Sequence, residues 1–252
     1  THQPNSNNNQ LVSSTQSYYF ILIMCTFKPV THVIFDMDGL LLDTESLYTA
    51  ATECVIHPFG KTYTWEVKVA QMGQKAENCA KIIINTLQVP LSVEDYLRQV
   101  TKIHQKIMPT AQLMPGAEKL VRHLHKHSIP IAIASGGAQD SFELKTTNHK
   151  EFVTMFSHVV LASTDPEVQN GKPAPDVFLV CANRFSDTPK PEQCLVFEDA
   201  PNGVAAGVAA GMQVVMVPDP RLDDKMTKGA SQVLKSLEDF RPELFGLPKY
   251  DD

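Results

Sequence analysis

The chain has 252 residues, 43% of them hydrophobic, and a net charge of −6, which is enough apolar material for one sizeable core and a small second domain. No Lys/Arg-rich block supplies the clustered cations that a phosphate backbone requires, so a nucleic-acid partner is excluded. The five scattered cysteines form no Cys-x-x-Cys pair; this disfavours a disulfide framework or zinc site and fits reduced thiols in a cytoplasmic protein.

Residues 1–16 are rich in Asn, Ser and Gln, and residues 1–28 are expected to be a disordered or extension segment. The apolar stretch 18–25 is far shorter than the roughly 20 residues a spanning helix needs, so no membrane association is expected. No Lys or Arg precedes it, against a signal peptide. Met24 lies a short distance before the first strand, and residues 1–23 read as an extension or translated upstream sequence rather than part of the fold.

Val33-Ile34-Phe35 reads as a buried strand that ends in Asp36-Met37-Asp38-Gly39. Residues 46–59, 76–87 and 92–108 have helical spacing, the last opened by Ser92 and Asp95. They predict a helical domain over 46–111, inserted in a core of 29–45 and 112–252. Pro115-Gly116-Ala117 opens an amphipathic helix to about 127, and the apolar run 129–134 ends in Ser135-Gly136-Gly137. A helix over 139–150 and a strand over 158–161 follow, then the turn Gly171-Lys172-Pro173-Ala174-Pro175 and a helix to Phe185. A strand over 194–197 ends in Glu198-Asp199; a small-residue helix over 201–210, a strand over 213–217 and a tail with a short helix or two complete the chain. Alternating helices and short apolar strands predict an α/β fold, a parallel sheet with helices on both faces.

Carboxylates at the carboxyl end of a parallel strand lie where open α/β sheets place ligands. An Asp36 carboxylate, ionised at neutral pH, can attack a phosphate monoester without a base and form an aspartyl-phosphate. Asp38 beside it can protonate the leaving group and then deprotonate water; the proximity of Asp36 favours a protonated Asp38. The Ser135 hydroxyl, the Gly136 N–H and the Lys172 ammonium suit a phosphoryl group, whose transfer depends on positioning and electrostatics. Glu198 and Asp199, with Asp36 and the Asp38 carbonyl, are the hard oxygen ligands expected for Mg²⁺. Taken singly, each of these motifs also reads as an ordinary turn or helix start; together, in this order at strand ends, they point to one site. His123, His125 and His127 read as capping or solvated, since i, i+2 positions do not share a helix face. Trp65 reads as a packing residue, and Gly203, Gly207 and Gly211 as a close-packing helix face.

Over residues 31–218 the chain resembles the haloacid dehalogenase superfamily of phosphohydrolases. The match rests on Asp36-Met37-Asp38-Gly39-Leu40-Leu41-Leu42-Asp43-Thr44, Ser135, Gly171-Lys172-Pro173-Ala174-Pro175-Asp176 and Phe197-Glu198-Asp199-Ala200. The resemblance implies a Rossmann-like core whose inserted helical cap closes over the site. It also implies Asp36 as nucleophile, Asp38 as acid/base, Ser135 and Lys172 as phosphoryl stabilisers, and Asp36, Asp38 and Asp199 as the main Mg²⁺ contacts, with Glu198 as a further ligand. A finer resemblance is to the branch acting on pseudouridine 5′-phosphate. It runs through Leu113-Met114-Pro115-Gly116, Asp165-Pro166-Glu167-Val168-Gln169 and Pro242-Glu243-Leu244-Phe245-Gly246. That branch has Thr-Ser-Ser where this chain has Ser135-Gly136-Gly137, and Arg in place of Ser46. Lys75 in the cap is a candidate second contact to substrate. The reading is a monomeric, Mg²⁺-dependent phosphatase of nucleoside or sugar phosphates. A phosphosugar mutase and a catalytically silent binding module are the alternatives.

Overall fold

The computed structural model describes residues 27–72 and 76–251, so the expectations for residues 1–23, for the stretch 18–25 and for Lys75 lie outside the described residues. The first strand, β1 (His32–Phe35), leads into helices α1 (Glu45–Ile56), α2 (Trp65–Gln71), α3 (Ala76–Leu87) and α4 (Val93–Ile107). The chain continues through α5 (Ala117–Lys126), β2 (Ile131–Ser135), α6 (Gln139–Lys145), α7 (Lys150–Val153) and β3 (His158–Leu161). Then come α8 (Asp176–Asn183), β4 (Cys194–Glu198), α9 (Pro201–Ala209), β5 (Gln213–Met216) and β6 (Gln232–Val233).

The strands form one parallel sheet in the order β3-β2-β1-β4-β5-β6. This is the α/β architecture expected from the alternating pattern, and its connections reverse direction between β1 and β4, where such sheets leave a crevice. Both faces are buried, because side chains alternate along each strand. Val33, Phe35, Ile133, Leu195 and Phe197 belong to one apolar cluster, and Ile34, Ala132, Ala134, Val196 and Val214 to another. The first is covered by α5 and by the tail residues Leu237, Phe240 and Phe245, the second by α8 and α9. In α9 the predicted close packing holds: a Cβ on Gly207 would stand 2.7 Å from the Val214 side chain.

Helices α1 to α4 pack around a third cluster of their own, built on Ala51, Val55, Ile56, Val67, Ile83, Tyr96 and Val100. They form a helical unit inserted between β1 and α5, called the cap below. The chain leaves and re-enters the core side by side, with the Asp43 N–H donating to the Gln112 carbonyl at 2.9 Å and Leu42 bridging Leu113. Ser92 caps α4 as expected, its hydroxyl accepting from the Asp95 N–H at 3.0 Å.

Elsewhere the structure departs from the predicted elements. The expected helix over 139–150 is broken into α6 and α7. Thr146 and Thr147 return their hydroxyls to backbone carbonyls of the preceding turn, while Asn148 and His149 donate to the carbonyls of Pro109 and Ala111. Such local bonds compete with helix continuation. Helix α2 and the two-residue strand β6 were not anticipated, and the tail is built from 3₁₀ turns rather than α-helices. Trp65 does pack, against the core cluster and under the Arg221 guanidinium at 4.2 Å. Among the described residues the four cysteines are free, and no helix is long and apolar enough to cross a membrane.

Phe240 is 1% exposed and meets Phe197 edge-on at 4.7 Å, so the tail seals one face of the sheet. Phe240→Ala should lower stability by about 3–5 kcal/mol in urea denaturation; a loss below about 1 kcal/mol would show that the tail is dispensable to the core.

Candidate active site

Asp36 follows β1, and its backbone N–H continues the ladder to the Phe197 carbonyl of β4 at 2.9 Å. Its carboxylate is thereby delivered to the crevice beside Glu198 and Asp199. The Lys172 ammonium bridges the group, 2.5 Å from Asp36 Oδ1, 2.6 Å from Glu198 Oε1 and 3.2 Å from the Ala134 carbonyl. The other Glu198 oxygen accepts from the backbone N–H groups of Asp199 and Ala200 at 3.0 and 3.1 Å. Two glycines make room for the acids. A Cβ on Gly203 would lie 1.8 Å from Glu198 Oε1, and one on Gly39, whose φ is +82°, would lie 2.4 Å from Asp199 Oδ2.

Asp38 points elsewhere. Its Oδ1 accepts from the Thr44 hydroxyl at 2.7 Å and pairs with the Lys145 ammonium at 2.6 Å, while Oδ2 faces the Ser135 hydroxyl at 3.4 Å. Ser135 is fully buried, and its oxygen also accepts from the Gly137 N–H at 3.2 Å. A Cβ on Gly136 would meet nothing within 4 Å, so that glycine widens the mouth of the site rather than relieving a clash. The structure thus gathers Asp36, Asp38, Lys172, Glu198 and Asp199 around one cavity of about 1080 Å³, which Gly136 also lines, while Ser135 lies buried behind the wall against Asp38.

Burial dominates the electrostatics of the acidic cluster. Burial pushes the Asp36 carboxyl up to about 7; Lys172 opposes the rise, and Glu198 and Asp38 add to it. Asp199 is raised for the same reason, with the charges of Glu198, Asp36 and Glu45 reinforcing burial. Burial pulls the Lys172 ammonium toward losing its proton, but Asp36 and Glu198 more than offset this and hold it above the ordinary lysine range. Oxygens of Asp36, Glu198 and Asp199 lie within 4.8 Å of one another. Three carboxylates therefore face one ammonium, an excess that a divalent cation would balance, and an all-oxygen donor set suits Mg²⁺. The Asp38 carboxylate stands outside this group, leaving its main-chain carbonyl as the ligand atom assigned to it.

Three residues at or behind the cavity wall were not singled out from the sequence. Lys145 is 2% exposed on the same face of α6 as Phe142; a lysine on an apolar helix face is the clue that was available. Lys68 pairs with the Glu45 carboxylate at 3.1 Å and donates to the Thr49 hydroxyl at 3.0 Å. Thr44 lies inside the recognised motif but was given no role. A second group, His123, His127 and Asp251, comes together because i, i+4 positions do share a helix face. It is engaged in docking the chain end: His123 bonds the Pro248 carbonyl at 2.8 Å and Lys126 pairs with Asp251 at 2.6 Å.

A parallel sheet carrying an acidic strand-end site beside an inserted helical unit defines a capped α/β fold. The sequence model of the haloacid dehalogenase-like hydrolases matches residues 33–217, and the chain belongs to that family. It is 55% identical over 225 residues to a Drosophila melanogaster protein named "Probable pseudouridine-5′-phosphatase", covering 89% of this chain and 97% of the relative. It is 50% identical over 226 residues to (DL)-glycerol-3-phosphatase 2 of Arabidopsis thaliana, covering 88% and 94% of the two chains. Among solved structures, a hydrolase of the family from Deinococcus radiodurans, with bound phosphate and sodium, superposes with a TM-score of 0.70 at 26% identity over 86% of this chain and 95% of that one. A β-phosphoglucomutase from Clostridium difficile does so at 0.66 and 22% identity over 86% and 96%, a likeness of fold.

Because the Asp36 carboxyl is raised to about 7, a cation must displace its proton near neutrality. Mg²⁺ affinity should rise between about pH 6 and about pH 8, and calorimetry at about pH 7 should show heats that vary with buffer ionisation as protons are released. In EDTA the sign for stability is the reverse. A carboxyl whose folded pKa lies above its unfolded value favours folding at low pH, so stability should fall as pH rises toward and through 7, and Asp36→Asn should flatten that fall.

Proposed function

We propose that this phosphatase hydrolyses a small nucleoside or sugar phosphate, with Mg²⁺, through an aspartyl-phosphate on Asp36. The observation that carries this reading is the separation of the two aspartates of one turn into different surroundings. Asp36 stands among Lys172, Glu198 and Asp199, and Asp38 among Thr44, Ser135 and Lys145.

Asp36 attacks phosphorus from the end of β1. Lys172 and the Ser135 hydroxyl hold the phosphoryl oxygens, with the Gly136 N–H at the same strand end. Asp38 delivers a proton to the leaving oxygen and later takes one from the attacking water. Mg²⁺, held by Asp36, Asp199 and the Asp38 carbonyl, would neutralise charge on the phosphoryl group. Glu198 has both oxygens engaged, with Lys172 and with backbone N–H groups, which suits it to anchoring Lys172 more than to direct ligation.

The cavity wall contributed by the cap is rich in hydroxyl and amide groups, among them Thr49, Thr52, Tyr63, Gln71 and Tyr96. Such a lining suits a polyhydroxylated alcohol, in keeping with the pseudouridine-phosphate and glycerol-phosphate activities in the names of the similar proteins. A mutase would need a second anion site. Each lysine lining the cavity among the described residues is already paired with a carboxylate, Lys68 with Glu45, Lys145 with Asp38 and Lys172 with Asp36 and Glu198, which weighs for the hydrolase.

Release of inorganic phosphate from pseudouridine 5′-phosphate, glycerol 3-phosphate and ribose 5-phosphate tests the reading and ranks the substrates. Asp36→Asn should abolish turnover while the far-UV circular dichroism is unchanged; full activity in that variant would refute the mechanism. EDTA should stop hydrolysis and excess MgCl₂ restore it, whereas turnover that persists in EDTA would refute the metal assignment.

A further inference from the structure

We propose that Lys145 is a positioning residue that sets the Asp38 carboxylate for proton transfer and couples that setting to the cap through Tyr48; the inference rests on the hydrolytic reading above. A carboxyl group that shuttles a proton to a leaving oxygen must hold one oxygen still and keep the other open to the substrate. Asp38 is arranged in this way. Two short donors, the Lys145 ammonium at 2.6 Å and the Thr44 hydroxyl at 2.7 Å, converge on Oδ1. Oδ2 takes, among the described residues, the long 3.4 Å contact from Ser135, and Asp38 lines the cavity.

Packing does not account for a lysine here. The side chain is 2% exposed, on a helix face shared with Phe142 and Thr146. A buried ion pair commonly adds less to stability than apolar residues of similar volume would. The position is costly, and the return is geometric: the ammonium fixes one oxygen of one carboxylate. Its other neighbours come from the cap. The Tyr48 ring of α1 lies 5.1 Å from the Lys145 nitrogen and is itself met edge-on by His104 of α4 at 5.0 Å. These rings shield the Lys145–Asp38 pair from water, which strengthens the contact in the low-dielectric site. Moving the cap away would withdraw Tyr48, hydrate the ammonium and loosen Asp38, so orientation of the proton donor depends on the cap being in place.

The test uses two esters that differ in their need for a proton. An alkyl phosphate such as glycerol 3-phosphate expels a strongly basic alkoxide, whereas 4-nitrophenyl phosphate expels a weakly basic phenolate that needs little protonation. The ratio kcat/KM reports steps only through loss of the leaving group, so the later use of Asp38 as a base does not enter. Lys145→Met should lower kcat/KM for the alkyl ester about 100-fold, through kcat rather than KM, and that for the aryl ester less than about 5-fold. Lys145→Arg should recover part of the loss. Tyr48→Ala, which leaves the lysine in place, should reproduce the same selectivity at smaller size and supplies the reading should Lys145→Met not fold. Equal losses on both esters, a rise in KM at constant kcat, or no loss would overturn the proposal. Absence of wild-type turnover on both esters would instead overturn the hydrolytic reading on which it stands.

Discussion

The structure is organised around a charge imbalance: three acids, Asp36, Glu198 and Asp199, crowded at the carboxyl ends of two adjacent strands with one lysine among them. Like charges at this spacing are tolerated only with compensation. Lys172 reaches them from a loop far along the chain, and the first backbone N–H groups before α9 take the remaining Glu198 oxygen. The backbone yields as well. Gly39 and Gly203 are required because the space a side chain would occupy is filled by carboxylate oxygens. Even so, burial leaves Asp36 and Asp199 with raised affinities for protons, the condition in which a site welcomes a cation.

The second aspartate of the same turn has different neighbours: the Lys145 ammonium and the Thr44 hydroxyl stand against Asp38. Met37, 1% exposed in the core, separates the two and turns them to different sides. On the reading proposed above, one side would serve a phosphoryl group and its metal, and the other would hold a proton-transfer carboxylate against Lys145. The cap completes the enclosure and brings its own chemistry, a hydroxyl-rich wall and a Lys68–Glu45 pair. This division lets one short loop serve two chemically different ends of a phosphate ester.

Much of this was legible before the coordinates. Short apolar strands ending in Asp, Ser and Glu-Asp, with helices between, specify a parallel sheet because only strands buried on both faces are apolar throughout. Where the reading stopped short, tertiary contacts outweighed local pattern. In residues 65–71 apolar and polar side chains nearly alternate, a weak helical signal, and α2 forms because Val67 packs in the cap cluster and Trp65 against the core. The helix break at residues 146–149 depends on carbonyls at Pro109 and Ala111 that are remote in sequence. Strand β6 exists through its pairing with β5.

By itself the sequence determined the class of fold and the order of the polar strand ends, because hydrophobic periodicity and motif order are local properties of the chain. Only the tertiary structure decided that the two aspartates face apart, that Lys145 rather than a like charge stands against Asp38, and that Glu198 is occupied in holding Lys172. These are matters of distance and direction between segments far apart in the chain, and no local pattern encodes them.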